Sequence, residues 1–322
     1  MGTPLFEIRN LSVIFPSDGG PLDAVRDVSF TLERGETLGV VGESGSGKST
    51  LASAIMGIIP GGGKISGGEI LFNGENILLW DAKRLRAWRG ARCSIIFQNP
   101  MSSFDPLFTI GRQIAEAVRI HTGADRAVCD AKALDALSLT RMDEPERRFF
   151  QYPHELSGGQ LQRAMIAMAL VCSPDILIAD EPTTSLDATV QAQILDLLGS
   201  LCDELGMAML FISHDLEVSA RMCGNMLVMY GGGICERGSV SDVLLSPAHE
   251  YTKALLRCIP PEDGGRLYSI PGSPPYIGNM PRGCAFCPRC ENAMRICAAQ
   301  IPPEAELDGG HCAACWRLLQ PA

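Results

Sequence analysis

The run Gly42-Glu43-Ser44-Gly45-Ser46-Gly47-Lys48-Ser49 constrains this chain more than any other segment. It fits G-x-x-x-x-G-K-S/T in full, and it stands between the apolar run "TLGVVG" and the helical pattern "STLASAIMGI". A strand, a glycine-rich loop and a helix in that order gather backbone N–H groups and the positive end of a helix around one point, which makes a phosphate cradle. Lys48 is placed to reach the β- and γ-phosphates of a nucleotide. Ser49, followed by Thr50, is placed to ligate Mg²⁺.

A second run completes such a site. In "DILIADEP", Ile176 to Ala179 read as a buried strand that delivers Asp180 and Glu181 to its C-terminal end, where ligands bind in sheets of this kind. Asp180 suits a Mg²⁺-linked role, and Glu181 suits polarisation of an attacking water. An acidic pair after a strand is a weak signal alone; beside the Lys48 loop it is a strong one.

The remaining pattern points to an α/β layered fold with a mostly parallel sheet. "FEIRNLSVIF" alternates over part of its length, and "AVRDVSFTLERGETLGVVG" ends in a buried strand. Residues 69–80 read as strand and turn around Asn73-Gly74. Residues from about 100 to 170 carry helical periods, as in "TIGRQIAEAVRI" and "AVCDAKALDALSL". "MAMLFISHD" reads as a further buried parallel strand. The Pro- and Gly-rich stretch from Cys258 to Pro281 reads as a linker or ordered loop.

Net charge is −10 over 322 residues, so there is no overall pull toward nucleic acid or anionic lipid. No apolar run approaches the roughly 18 residues of a transmembrane helix. The first ten residues lack the basic-then-apolar order of a signal peptide, and Phe6 stands where a myristoylation site needs Ser or Thr. A role at a membrane would therefore require other chains to hold the protein there.

The sequence also resembles the ABC ATPases, over about residues 5–250. The family signature stands as Leu156-Ser157-Gly158-Gly159-Gln160, followed by Leu161-Gln162-Arg163. Ser157 and the two glycines sit where a helix begins, a second anion-binding N-terminus. The resemblance implies that this segment closes over ATP held by the opposite subunit, so that two nucleotide-binding domains sandwich two ATP molecules. By the same resemblance Gln98 in "IIFQNP" contacts Mg²⁺ and the water, and His214 in "ISHD" contacts the γ-phosphate. Ser185-Leu186-Asp187 matches the D-loop, where the family more often has Ala at position 185. Phe15 is a candidate platform for adenine, with an ordinary strand aromatic as the alternative.

The fold implied is a P-loop nucleotide-binding domain with a RecA-like core, an antiparallel β subdomain and an α-helical subdomain. It would span residues 1–250, with the helical subdomain at about 100–170 and a C-terminal extension at 251–322. The segments "FQNPMSSFDPLFTIGRQIAE", "DEPTTSLDATVQAQILDLL" and "SPAHEYTKALLRCIP" are similar to the dipeptide, oligopeptide and nickel importer ATPases. That branch implies two integral-membrane permease subunits, a second homologous ATPase chain, an extracytoplasmic binding protein, no nucleic acid partner, and a peripheral place on the cytoplasmic face of the membrane. A peptide cargo is the expectation, with nickel or metal–chelator complexes as the alternative. A soluble, non-transport ABC ATPase is the rival class, and the single cassette, acidic balance and absence of heptads oppose it.

Six of the 13 cysteines lie from Cys284 onward. C-x-x-C spacings at Cys284/Cys287, Cys287/Cys290 and Cys312/Cys315 favour a metal over disulfides in a chain without a signal peptide. On spacing alone a Cys₄ zinc site is the default, and a 4Fe-4S cluster also takes four thiolates. The importer resemblance implies the cluster on Cys284, Cys290, Cys297 and Cys315; zinc stays open, and Cys287 and Cys312 are extra.

Overall fold

The computed structural model describes residues 3–184, 186–260 and 268–319. Twelve strands are present among them. They are β1 (Phe6–Phe15), β2 (Leu22–Leu32), β3 (Thr37–Val41), β4 (Lys64–Phe72), β5 (Glu75–Asn76) and β6 (Cys93–Ile96). Then follow β7 (Ile176–Asp180), β8 (Ala208–Ser213), β9 (Asn225–Tyr230), β10 (Gly233–Ser239), β11 (Ala305–Glu306) and β12 (Cys312–Ala313). The chain divides into two compact units, residues 1–32, 37–78 and 212–322 forming the first, and 33–36 and 79–211 the second.

The first unit holds an antiparallel sheet in the order β2-β1-β4-β5. The alternation of β1 breaks at Arg9-Asn10 because a register shift lies between Ile8 and Leu11, and Asn10 takes φ 49°. That bulge keeps Ile8, Leu11 and Val13 all buried although strict period two would turn some of them outward. β4 begins at Lys64, earlier than the pattern predicts, since Gly67 and Gly68 blur its period. Asn73 and Gly74 both have positive φ, the geometry of the tightest hairpin turn, and link Phe72 to Glu75.

The same unit continues through the strand order β11-β12-β10-β9-β3, in which β3 and β9 are parallel and the rest antiparallel. Val41, Val228, Tyr230, Tyr251, Ile270 and Phe286 share one core, so residues of the tail are part of this unit's interior. The Glu236 carboxylate fixes the arrangement. It is fully buried and accepts from the backbone N–H groups of Ala248 (2.6 Å) and His249 (2.9 Å), and it pairs with His311 Nε2 at 2.7 Å. A buried carboxylate with three such partners is stable where an unpaired one would be costly.

The second unit contains β6, β7, the first four residues of β8 and most of the helices. β7 is buried at every position and pairs in parallel with β6, Ile96 lying opposite Ala179. The helical period expected over 100–170 becomes the helices Ile110–Thr122, Arg126–Leu139 and Gly158–Leu170, with short turns of helix between them. Among the described residues no helix is long and apolar enough to cross a membrane.

Candidate nucleotide site

The loop between β3 and the helix Lys48–Met56 folds around its own lysine. Lys48 Nζ donates to the carbonyl oxygens of Gly42 (2.6 Å) and Glu43 (2.9 Å) and to Ser46 Oγ (3.3 Å). Lys48 and Ser46 are buried, while Ser44, Gly45 and Ser49 are exposed. Gly47, at φ 101°, is the N-cap of the helix, so Ser49 and Thr50 lie in its first turn. Gly42 takes φ 152°, and a Cβ there would land on the carbonyl oxygen of Met229. The loop is thus pressed against the end of β9, with its ammonium group held at the centre and its helix N-terminus exposed. Such a loop can bind a polyphosphate. Phosphate oxygens can replace the carbonyl oxygens as acceptors for Lys48.

The second unit brings two expected residues together. Gln98 follows β6 and Glu181 follows β7, and because those strands are parallel neighbours their C-terminal ends lie side by side. Gln98 Nε2 donates to Glu181 Oε2 at 2.9 Å, and Thr184 Oγ1 donates to the same oxygen at 2.9 Å. Glu181 has φ 49°, a conformation that a residue with a side chain adopts at a cost of about 1 kcal/mol or more and that is common at functional sites. Asp180, the last residue of β7, is buried. The arrangement can orient a water through a carboxylate aimed by an amide and a hydroxyl.

Ser157 caps the helix Gly158–Leu170 as the sequence predicts. Its hydroxyl accepts from Gln160 N–H at 3.4 Å, and Gln160 Oε1 accepts from Ser157 N–H at 3.1 Å, a reciprocal capping box. Ser157 and Gly158 are exposed, leaving the helix N-terminus open to solvent. Asp187 is the N-cap of the next helix, Ala188–Leu205, and accepts from the N–H groups of Thr189 and Val190. Ser185, expected in the D-loop, lies outside the described residues. In the first unit His214 is exposed just beyond β8. Phe15 is half-buried at the end of β1, with its ring against Gly63.

Of the six tail cysteines, five line one small cavity: Cys284, Cys287, Cys290, Cys297 and Cys315, together with His249 and Glu250. Cys312 does not. It lies on β12 opposite Arg237, with its Sγ toward the Gly310 carbonyl. Burial pushes the Cys284 thiol up to about 11 and raises those of Cys290 and Cys315 as well. The metal centre expected on four of these cysteines is not supported by their placement. Among the described residues no three His, Cys, Asp or Glu side chains stand close enough to hold a metal ion. A zinc site needs four thiolates converging to about 2.3 Å from one point, whereas the four thiolates of a 4Fe-4S cluster each bind a different iron and stand farther apart. Cys284, Cys290, Cys297 and Cys315 line one cavity without converging on a single-ion site.

Residues 25–184 match the family described as ABC transporter, and residues 235–297 match that described as oligopeptide/dipeptide transporter, C-terminal region. A probable peptide ABC transporter ATP-binding protein of Sinorhizobium fredii is 48% identical over 317 residues, covering 97% of this chain and 95% of that one. The chain belongs to the ABC transporter ATP-binding family. The oligopeptide transport ATP-binding protein OppD of Salmonella typhimurium is 45% identical, covering 98% and 94%. The dipeptide transport ATP-binding protein DppD of Bacillus subtilis is 42% identical, covering 99% and 96%. Among solved structures, a dimeric ATP-binding cassette in a post-hydrolysis state with ADP and Pi superimposes with TM-score 0.66 at 26% identity, covering 73% of this chain and 98% of that one. The cassette protein cbiO1 of Clostridium perfringens gives TM-score 0.64 at 27% identity, covering 76% and 92%. The fold is accordingly the P-loop ABC ATPase cassette, and the chain is an ATPase of that class.

Two residues of this ABC cassette touch the phosphate loop without having been foreseen. Tyr251 Oη accepts from the Glu43 backbone N–H at 2.8 Å, and Arg289 binds the Glu43 carboxylate through two nitrogens, at 2.6 and 3.1 Å. Neither lies in a local pattern that marks it; the only hint was an arginine inside a cysteine motif.

Proposed function

We propose that this chain is the ATP-hydrolysing subunit of an importer for di- and oligopeptides, peripheral to the cytoplasmic face of a membrane. The observation that carries the reading is the combination of a complete phosphate loop at 42–49 with a C-terminal region, 235–297, that matches oligopeptide and dipeptide transporters. Residues 1–250 serve as the nucleotide-binding domain and 251–322 as the cysteine-bearing extension. The partners are two permease chains, a second ATPase chain and an extracytoplasmic binding protein.

In this reading ATP lies on the Lys48 loop, with Phe15 beside the adenine and Ser49, Gln98 and Asp180 serving Mg²⁺. The exposed helix N-terminus at Ser157, Gly158 and Gly159 closes on the ATP of the partner subunit. Glu181 then polarises water while His214 steadies the γ-phosphate, and catalysis is chiefly positioning and electrostatics. Coupling to the permease is supported by a groove in the second unit. There Leu107 and Phe150, 77% and 72% exposed, stand with Arg112 and Tyr152 around a wide cavity. Exposed aromatic and aliphatic side chains around a groove suit an amphipathic helix.

Uptake by the assembled transporter in proteoliposomes tests the cargo. ATP-dependent accumulation of labelled dipeptides or longer peptides is expected. Accumulation of nickel with no peptide uptake would overturn the peptide reading and leave the ATPase standing.

The cysteine cavity has the donor set for a 4Fe-4S cluster or, alternatively, zinc, with Cys284, Cys290, Cys297 and Cys315 as ligands. Either would act there as a structural staple for the tail. Iron, sulfide and zinc analysis of anaerobically purified chain is expected to give about four irons per chain. One zinc and no iron would replace the cluster by a zinc site, and neither metal would remove both.

A further inference from the structure

Every polar part of Glu43 is tied down by a different element. Its carbonyl accepts from Lys48, its N–H donates to Tyr251 Oη, and its carboxylate accepts two bonds from Arg289. Arg289 is itself held. Its Nε donates to the Pro271 carbonyl at 3.0 Å and its Nη1 to Tyr230 Oη at 3.1 Å, and its side chain is 5% exposed. Beneath it the rings of Tyr230, Tyr251 and Phe286 pack with centroids 4.4 to 5.3 Å apart. Arg289 ends the short turn Cys287–Arg289, whose Cys287 lines the cysteine cavity.

We propose that Arg289 is a positioning residue of the phosphate loop, acting through Glu43. This rests on residues 42–49 being the ATP phosphate site. Two physical effects follow from the contact. First, a loop rich in glycine has many conformations, and a cradle binds phosphate well only when its N–H groups are aimed beforehand. A planar guanidinium bound at two points fixes orientation as a single ammonium cannot. Second, Glu43 places a carboxylate inside a motif that receives the several negative charges of ATP. Arg289 neutralises it in a largely buried setting, where charge effects are strong. Loss of Arg289 would leave Glu43 to repel the ligand.

The two effects make a prediction that simple support of the fold does not. Arg289→Met should weaken ATP more than Glu43→Gln does, and adding Glu43→Gln to Arg289→Met should restore part of the loss by removing the exposed charge. The measurement is titration of the full chain with a fluorescent ATP analogue, together with KM for ATP and kcat in the assembled transporter. Arg289→Met is expected to raise Kd and KM about tenfold with a smaller change in kcat, the mark of lost ground-state binding. The double variant should recover about half of that on a logarithmic scale, and Arg289→Lys, which keeps the charge but not the fork, should fall between. Wild-type affinity in Arg289→Met, or a double variant as weak as Arg289→Met alone, would overturn the proposal. Should Arg289→Met fail to show a cooperative melt, Arg289→Lys and Glu43→Gln carry the test, and wild-type Kd in both would overturn it. Failure of the unaltered chain to bind the analogue would instead defeat the phosphate-site reading beneath it.

Discussion

Replacing Glu181 by Gln is expected to lower ATP turnover in the assembled transporter by about 10²- to 10⁴-fold, the range for losing a general base. The glutamine keeps the size and shape of the side chain. Its amide oxygen can still accept from Thr184 Oγ1, which lies 2.9 Å from Glu181 Oε2. What it loses is the negative charge that draws a proton from water. Gln98, 2.9 Å away, can turn its own amide to face the new one, so the junction beyond β6 and β7 should hold its shape. ATP affinity should consequently change by no more than about threefold, because ground-state binding lies mainly in the phosphate loop. Phosphate release gives the rate, and analogue titration gives the affinity. Turnover at the wild-type level would remove Glu181 as the base. A parallel collapse of affinity would show that the substitution had damaged the site rather than the chemistry.

The parts legible in the sequence are those whose signal is local. Gly42 to Ser49 form one uninterrupted motif with a strand before it and a helix after it, and the structure repeats that order as β3, loop and Lys48–Met56. The buried strands β7 and β8 show as unbroken apolar runs because both of their faces are covered. Ser157, Gly158 and Gly159 mark the start of a helix in the sequence, and the helix begins at Gly158 with Ser157 as its N-cap. What stayed hidden depends on distance along the chain. Glu43 and Arg289 are 246 residues apart, and no spacing rule connects them. β11 and β12 have two residues each, too few for any period to appear. The left-handed backbone at Glu181 is a tertiary imposition on a residue type that does not advertise it. Cysteine spacing proposes pairs, but pairing of β12 with β10 is what takes Cys312 away from the cavity that the other five share. The bulge at Asn10 turned a strand that should alternate into one that alternates only in part.

Gly42→Ala is expected to be the most damaging single-methyl change in the nucleotide site, and comparison with Gly45→Ala shows why. Both glycines have positive φ, 152° at Gly42 and 80° at Gly45, so each alanine incurs backbone strain of about 1–2 kcal/mol. At Gly45 nothing lies within 4 Å of the added carbon, and strain is the whole cost. At Gly42 the added carbon meets the Met229 carbonyl oxygen and lies 2.9 Å from Ser46 Oγ. That carbonyl belongs to β9, whose Val228 is paired with Val41 of β3, so it cannot retreat without disturbing the sheet. The loop must move instead. Movement breaks the 2.6 Å bond from Lys48 Nζ to the Gly42 carbonyl and displaces the ammonium from the centre of the cradle. Gly42→Ala should therefore lose about 2–4 kcal/mol of stability and more than tenfold in ATP affinity. Gly45→Ala should lose about 1–2 kcal/mol of stability. Denaturant unfolding and analogue titration of the two variants, run side by side, measure the difference. Equal losses would mean that backbone conformation alone explains the glycines of this motif. A gap of the size stated assigns Gly42 a second duty, allowing the phosphate loop to lie directly against the end of β9.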